Sequence, residues 1–128
     1  MQTEKYLKTK PFSLRARANS FRFAWNGIHR FFAHEHNAWL HMAATITVII
    51  SAYWFHVSRQ EMIILIMVTG FVWVAEIFNT AIEKMMDFIV PGYHPRVKLI
   101  KDLAAAAVLV ASVMALATGA FIFIPKIF

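Results

Sequence analysis

The chain contains no cysteine, which excludes disulfides, thiolate nucleophiles and cysteine-ligated metal. Glycine occurs four times in 128 residues, and Gly27, Gly70, Gly92 and Gly119 stand far apart. A glycine-rich phosphate loop of the Walker or protein-kinase type is therefore absent. Charge is scarce as well: 16% of residues are charged against 59% hydrophobic, with a mean hydropathy of +0.56, beyond the range of an ordinary soluble domain. No Asp, Glu, Lys or Arg occurs between Glu35 and Arg59, or between Asp102 and Lys126. Each gap exceeds the roughly 20 apolar residues that cross a hydrocarbon core, so the bilayer is the expected solvent.

What charge there is lies mostly at the margins of these runs. Lys5, Lys8, Lys10, Arg15, Arg17, Arg22 and Arg30 precede the first, and Lys84, Arg96, Lys98 and Lys101 flank the connection around Pro91-Gly92. The positive-inside rule places both segments in the cytoplasm. The net charge of +6 then points to anionic lipid headgroups, and to a nucleotide, rather than to nucleic acid. The first apolar run follows about 35 residues of basic, aromatic sequence, unlike a signal peptide.

From Ser20, a plausible helix cap, Phe21, Ala24, Trp25, Ile28, Phe31 and Phe32 recur at helical spacing opposite Arg22, Asn26, His29, Arg30 and His34. This pattern predicts an amphipathic helix over 20–35 lying on the membrane, after a cytoplasmic arm over 1–19. Transmembrane helices are expected over 39–57, 62–87 and 98–124. The fold class is thus all-α, a single membrane-embedded domain over 1–128 with three transmembrane helices, an N-terminal amphipathic interfacial helix and the N-terminus inside. His34, His36 and His41 lack a second ligand set for zinc and read as interfacial side chains.

The middle span is the unusual one. Its apolar run from Met62 to Ala75 gives about 21 Å against a core of about 30 Å. The helix must therefore continue past Glu76, which carries Glu76 and Asn79 into the membrane slab and leaves Glu83 and Asp87 near its edge. At about 100° per residue these four groups fall within an arc of roughly 80° on one helix face. Ionisable groups in a membrane helix are expensive and functional by default. Glu35 and the pair Lys101-Asp102 lie near the same interface. Hard cations such as Mg²⁺ take oxygen ligands, commonly one or two carboxylates plus substrate phosphates, and a lysine supplies a point charge for phosphate. Five carboxylates, an amide and a lysine fit metal-assisted phosphoryl transfer, with one carboxylate at membrane depth free to act as general base toward a lipid hydroxyl.

The series Glu76-Ile-Phe-Asn79-Thr80-Ala81-Ile82-Glu83…Met86-Asp87, followed by Lys101-Asp102 and an alanine run into Val108-Leu109, resembles the signature of the prokaryotic diacylglycerol kinase family, which includes undecaprenol kinases. Trp25-Asn-Gly27 and Glu35 extend the resemblance over most of the chain. The resemblance implies an ATP-dependent lipid kinase of the bacterial inner membrane acting on diacylglycerol or undecaprenol. It implies that Glu76 is the catalytic base and contacts the lipid together with Trp25, and that Glu35 and Glu83 hold Mg²⁺. Asn79, Glu83, Asp87, Lys101 and Asp102 would bind the nucleotide, in a homotrimer with shared active sites. Glu35-His-Asn37-Ala-Trp-Leu-His41 is similar to a pattern of the undecaprenol kinase branch. Two other readings remain open: a small proton-coupled transporter with Glu76 as proton carrier, and a structural subunit assembling through Ala104 to Ala107.

Overall fold

The computed structural model describes residues 12–128; residues 1–11, with Lys5, Lys8 and Lys10 of the expected arm, lie outside the described residues. Four helices account for nearly all of it: α1 (Leu14–His34), α2 (His36–Trp54), α3 (Arg59–Ile89) and α4 (Pro95–Ile127), with no strand among the described residues. α1 belongs to one compact unit, and Glu35–Phe128 forms another.

α1 begins six residues ahead of the expected start at Ser20. Ser13 provides the cap, its hydroxyl oxygen accepting the Ala16 N–H at 3.3 Å. Ser20 lies inside the helix, where its hydroxyl donates to the Ala16 carbonyl at 3.0 Å. Much of the apolar stripe is bare, with Phe21, Trp25 and Ile28 all exposed. Glu35 then interrupts the helical path in an extended conformation (φ −111°, ψ 116°) and precedes α2.

In the second unit, the turn between α2 and α3 is built from local backbone chemistry. The N–H of His56 donates to the Tyr53 carbonyl at 3.3 Å and that of Val57 to the Ala52 carbonyl at 3.1 Å. His56 sits in the left-handed region (φ 48°). This is a Schellman C-cap with histidine where glycine is usual, and Val57 supplies its apolar contact by packing with Ala52. Ser58 immediately opens α3 with a capping box: its hydroxyl oxygen accepts the Glu61 N–H at 3.2 Å, and the Glu61 carboxylate accepts the Ser58 N–H at 2.6 Å. The Ser58 backbone N–H first, and the nearby Lys126 ammonium second, hold the Glu61 carboxyl below the ordinary carboxylate range. Lys126 reaches back from α4 to Glu61 at 3.1 Å. Beneath this corner Ala52, Leu65 and Ile122 form the buried cluster, with Val48, Met62 and Phe123 against it.

At the other end α3 runs to Ile89, and Gly92 (φ 107°) takes the left-handed turn that a side chain would resist. Pro95 starts α4 instead of ending a segment. It occupies the first turn, where the missing N–H costs nothing, while His94 caps the helix by accepting the Arg96 N–H on Nδ1 at 3.2 Å. α4 accordingly begins three residues before the expected Lys98.

α3 and α4 pack along each other, with α2 set against α3 more sparingly. Both long helices are apolar enough to cross a membrane, yet only 17% and 6% of their most apolar windows are buried within the chain. Their 31 and 33 residues correspond to about 46 and 50 Å of helix. α2 is shorter, with His36, Asn37 and His41 in its first turns. Among the described residues the structure is all-helical, with two helices long and apolar enough to cross a membrane.

Candidate functional site

α3 carries the expected polar face. Glu76, Asn79 and Thr80 are buried, and Glu76 is only 2% exposed. An ionised carboxylate withdrawn this far is costly unless a partner compensates it. Its Oε2 lies 3.7 Å from Nε2 of His41 on α2, beyond hydrogen-bonding distance but within range of an ion pair. One turn along, Asn79 donates through Nδ2 to Glu83 Oε1 at 3.4 Å. That contact leaves Asn79 Oδ1 buried with no donor, an orphaned acceptor in a position where orphans call for an explanation.

Toward the 90–94 loop, carboxylates and lysines alternate in space. Glu35 meets Lys84 at 2.7 Å, and the Lys84 ammonium also feels the charges of Glu83 and Asp87. Asp87 meets Lys101 of α4 at 2.8 Å. Asp102 pairs with Lys98 on its own helix. Consecutive helix positions do not share a face, so Lys101 turns to α3 while Asp102 does not join it. The expected residues thus divide into linked groups: Glu76 with His41, Asn79 with Glu83, Glu35 with Lys84, and Asp87 with Lys101. Trp25 is exposed on α1, in the other unit.

The donors fit a hard divalent cation in part. They are oxygens throughout, and the Asn79 oxygen lacks a donor. Among the described residues no three His, Cys, Asp or Glu side chains converge closely enough to hold a metal by themselves. Oxygen groups of this kind are what Mg²⁺ takes, commonly one or two carboxylates completed by substrate phosphates.

Two features escaped the sequence. His41 reads there as an interfacial side chain, yet it faces Glu76 across the α2–α3 contact. A cavity of about 510 Å³ also lies among α2, α3 and α4, lined by His41, Thr45, Trp73, Val72, Ser112 and Phe123 among others. Nothing in local periodicity signals a contact between residues 35 positions apart.

Comparison with known proteins identifies a family for the chain as a whole. The family described as "Prokaryotic diacylglycerol kinase" matches residues 22–123. The chain is 34% identical over 109 residues to a diacylglycerol kinase of Synechocystis sp., an alignment covering 84% of this chain and 62% of that protein. It is 37% identical over 108 residues to an undecaprenol kinase of Bacillus subtilis, covering 84% and 88%. It is 30% identical over 96 residues to a diacylglycerol kinase of Escherichia coli, covering 75% and 79%. The chain therefore spans less than two thirds of the Synechocystis relative and more of the other two.

Proposed function

The chain belongs to the prokaryotic diacylglycerol kinase family, and from that premise we propose that it is a lipid kinase moving the γ-phosphoryl group of ATP to the hydroxyl of a membrane lipid, diacylglycerol or undecaprenol. The observation that carries the reading is the face of α3, where a carboxylate that is 2% exposed stands one turn from an amide with an unsatisfied oxygen. The next carboxylate along that face, Glu83, is the one the amide touches. A proton-coupled transporter needs a buried carboxylate but has no use for the lysine and carboxylate pairs at one end of the bundle, and nothing in the comparisons supports it.

In this reading Glu76 accepts the proton of the lipid hydroxyl as its oxygen attacks the γ-phosphorus, and ADP leaves with the electrons of the broken P–O bond. Its depth suits a hydroxyl presented from the lipid phase. Glu83 and Glu35 are the residues that would hold Mg²⁺, with the Asn79 oxygen beside them. Bound Mg²⁺ would neutralise charge on the transferred phosphate. Lys101 places a cation for the nucleotide phosphates, and Asp87 keeps it oriented. Asp102 is the second nucleotide residue of the pair, and Trp25 the lipid contact on α1.

Three spans, α2, α3 and α4, with residues before Glu35 and the 90–94 loop on the cytoplasmic side of a bacterial inner membrane, complete the reading. α1 lies along the interface with its bare aromatic stripe in lipid. The large apolar surface left open on α3 and α4 favours burial against lipid and against further copies in a homotrimer with shared sites.

Membranes containing the protein, incubated with labelled ATP and either diacylglycerol or undecaprenol, test the function. Labelled phosphatidic acid or undecaprenyl phosphate is expected, and its absence with both acceptors would sink the proposal. A cysteine introduced at Ser58 should react with an impermeant thiol reagent from outside, whereas one at Tyr93 should not. Equal reaction of both would overturn the three-span topology.

A further inference from the structure

His41 stands between the cavity among the three helices and the carboxylate read as the base. It lines the cavity among the three helices, and its Nε2 faces the Glu76 carboxylate at 3.7 Å. Glu76 itself is not on the cavity lining. The imidazole is held by a small clasp between α2 and α3. Its ring meets Trp73 edge-on, centroids 6.2 Å apart at 61°, in the geometry that aromatic quadrupoles favour. The Trp73 indole N–H donates to Thr45 Oγ1 at 3.0 Å, and the Thr45 hydroxyl donates to the carbonyl of His41 at 2.7 Å. His41 and Thr45 are four apart on α2, and Trp73 and Glu76 three apart on α3, so each pair shares a helix face. The imidazole thus has Trp73 on one side and Glu76 on another, while Thr45 ties the Trp73 indole to the His41 backbone. Such an arrangement leaves the imidazole little freedom to leave the carboxylate.

A buried glutamate has three rotatable bonds and can point away from a substrate as readily as toward it. Catalysis by a general base depends on aim: small misplacement of a catalytic group costs rate steeply. A fixed N–H or N⁺–H beside one carboxylate oxygen both lessens the cost of burying the charge and restricts the rotamers, leaving the other oxygen for the hydroxyl. The separation of 3.7 Å is loose, as contacts in catalytic groups commonly are before substrate binds. We propose that His41 is a positioning residue for Glu76, held by Trp73 and Thr45, acting on the phosphoryl-transfer step and not on nucleotide binding. The proposal rests on the reading of Glu76 as the base.

The test is a double-mutant cycle on the full chain in lipid vesicles, measuring kcat and the KM for ATP with labelled ATP. His41→Leu should lower kcat about tenfold or more with the KM for ATP unchanged, the signature of an interaction that serves the transition state. His41→Gln, which carries an N–H donor at nearly the reach of Nε2, should recover most of that loss. In a Glu76→Gln background, His41→Leu should cost little further, because a residue acting through another is silent once that other is gone. The Glu76→Gln single variant judges the base reading by itself: near-parental activity there removes Glu76 from the chemistry. With Glu76→Gln strongly impaired, an equal loss from His41→Leu in both backgrounds, a Gln variant no better than Leu, or a rise in the KM for ATP matching the fall in kcat would each overturn the proposal.

Discussion

The two ends of the Glu35–Phe128 unit are built on opposite rules. Near Ser58 the polar groups are consumed locally: the Schellman turn uses the last carbonyls of α2, the capping box uses the first N–H groups of α3, and Lys126 closes on Glu61. An apolar cluster lies directly below. Near the 90–94 loop the polar groups are side chains joined in single ion pairs, Glu35 with Lys84 and Asp87 with Lys101, and the Asn79 oxygen is left over. Partly exposed ion pairs of this kind contribute little, about 0 to 1 kcal/mol, so in the proposed reaction a nucleotide and its cation would replace them at small cost. One end holds the helices in register while the other keeps its charges exchangeable. Substitutions at the loop end should therefore change activity and spare stability, and those at the Ser58 end should do the reverse.

The largest expected effect is Glu76→Gln. The change removes proton acceptance and keeps size, and loss of a positioned base typically costs about 10² to 10⁴ in rate. Burial of a neutral amide is also easier than burial of a carboxylate, so thermal denaturation in detergent should show no loss of stability, and the KM for ATP should hold. A rate within a few-fold of the parent removes Glu76 from the mechanism. Next in size come Glu83→Gln and Glu35→Gln, each of which removes a charged oxygen from the residues assigned to Mg²⁺. The concentration of Mg²⁺ giving half-maximal rate should rise by about tenfold or more, on the scale seen for substitutions that weaken metal sites. Glu83→Gln should show the larger rise, because Lys84 already satisfies Glu35. An unchanged Mg²⁺ dependence in both variants would place the metal elsewhere.

How much of this was legible beforehand depends on whether the signal was local. The α3 face could be read because Glu76, Asn79, Glu83 and Asp87 repeat at helical spacing in an apolar run, and burial of Glu76 and Asn79 agrees with that reading. Helix ends were read less well where two caps compete. Ser20 resembles a cap as much as Ser13 does, but only Ser13 finds a free N–H in a first turn. Pro95 can stop one helix or start the next, and His94 decides for the start by capping it. The pairing of His41 with Glu76, and the choice of Asp87 over Asp102 as partner of Lys101, depend on how helices face each other, which no single-helix periodicity encodes.

At the stabilising end the effects should be smaller and should leave the rate alone. Ser58→Ala removes the hydroxyl that accepts the Glu61 N–H and should cost about 1 kcal/mol, typical of a lost N-cap. Glu61 adds a pH signature. Its carboxyl is held low in the folded chain by the Ser58 N–H and by Lys126, so its contribution is present above the ordinary carboxylate range and is lost as the pH falls through the lowered native value. The stability difference between parent and Glu61→Gln should accordingly narrow in acid. A difference that stays constant down to strongly acidic pH would mean that the carboxylate charge does not matter there.

The smallest expected change is a gain, and it tests whether the Ser58 end is optimised for stability alone. His56 occupies the left-handed position of the α2 cap at φ 48°, where a Cβ crowds the following carbonyl at a cost of roughly 1 to 2 kcal/mol. Glycine removes that crowding but raises the entropy of the unfolded chain by about 0.4 to 1 kcal/mol. The two terms leave His56→Gly stabilising by about 0 to 1.6 kcal/mol, with a mid-range value below about 1, provided the imidazole itself contributes nothing. Thermal denaturation of the variant beside the parent reads the sign directly, with kinase activity expected to be unchanged. A loss of stability would show that the His56 side chain makes a contact outweighing its backbone strain, and this end of the molecule would then hold a polar side chain for more than geometry.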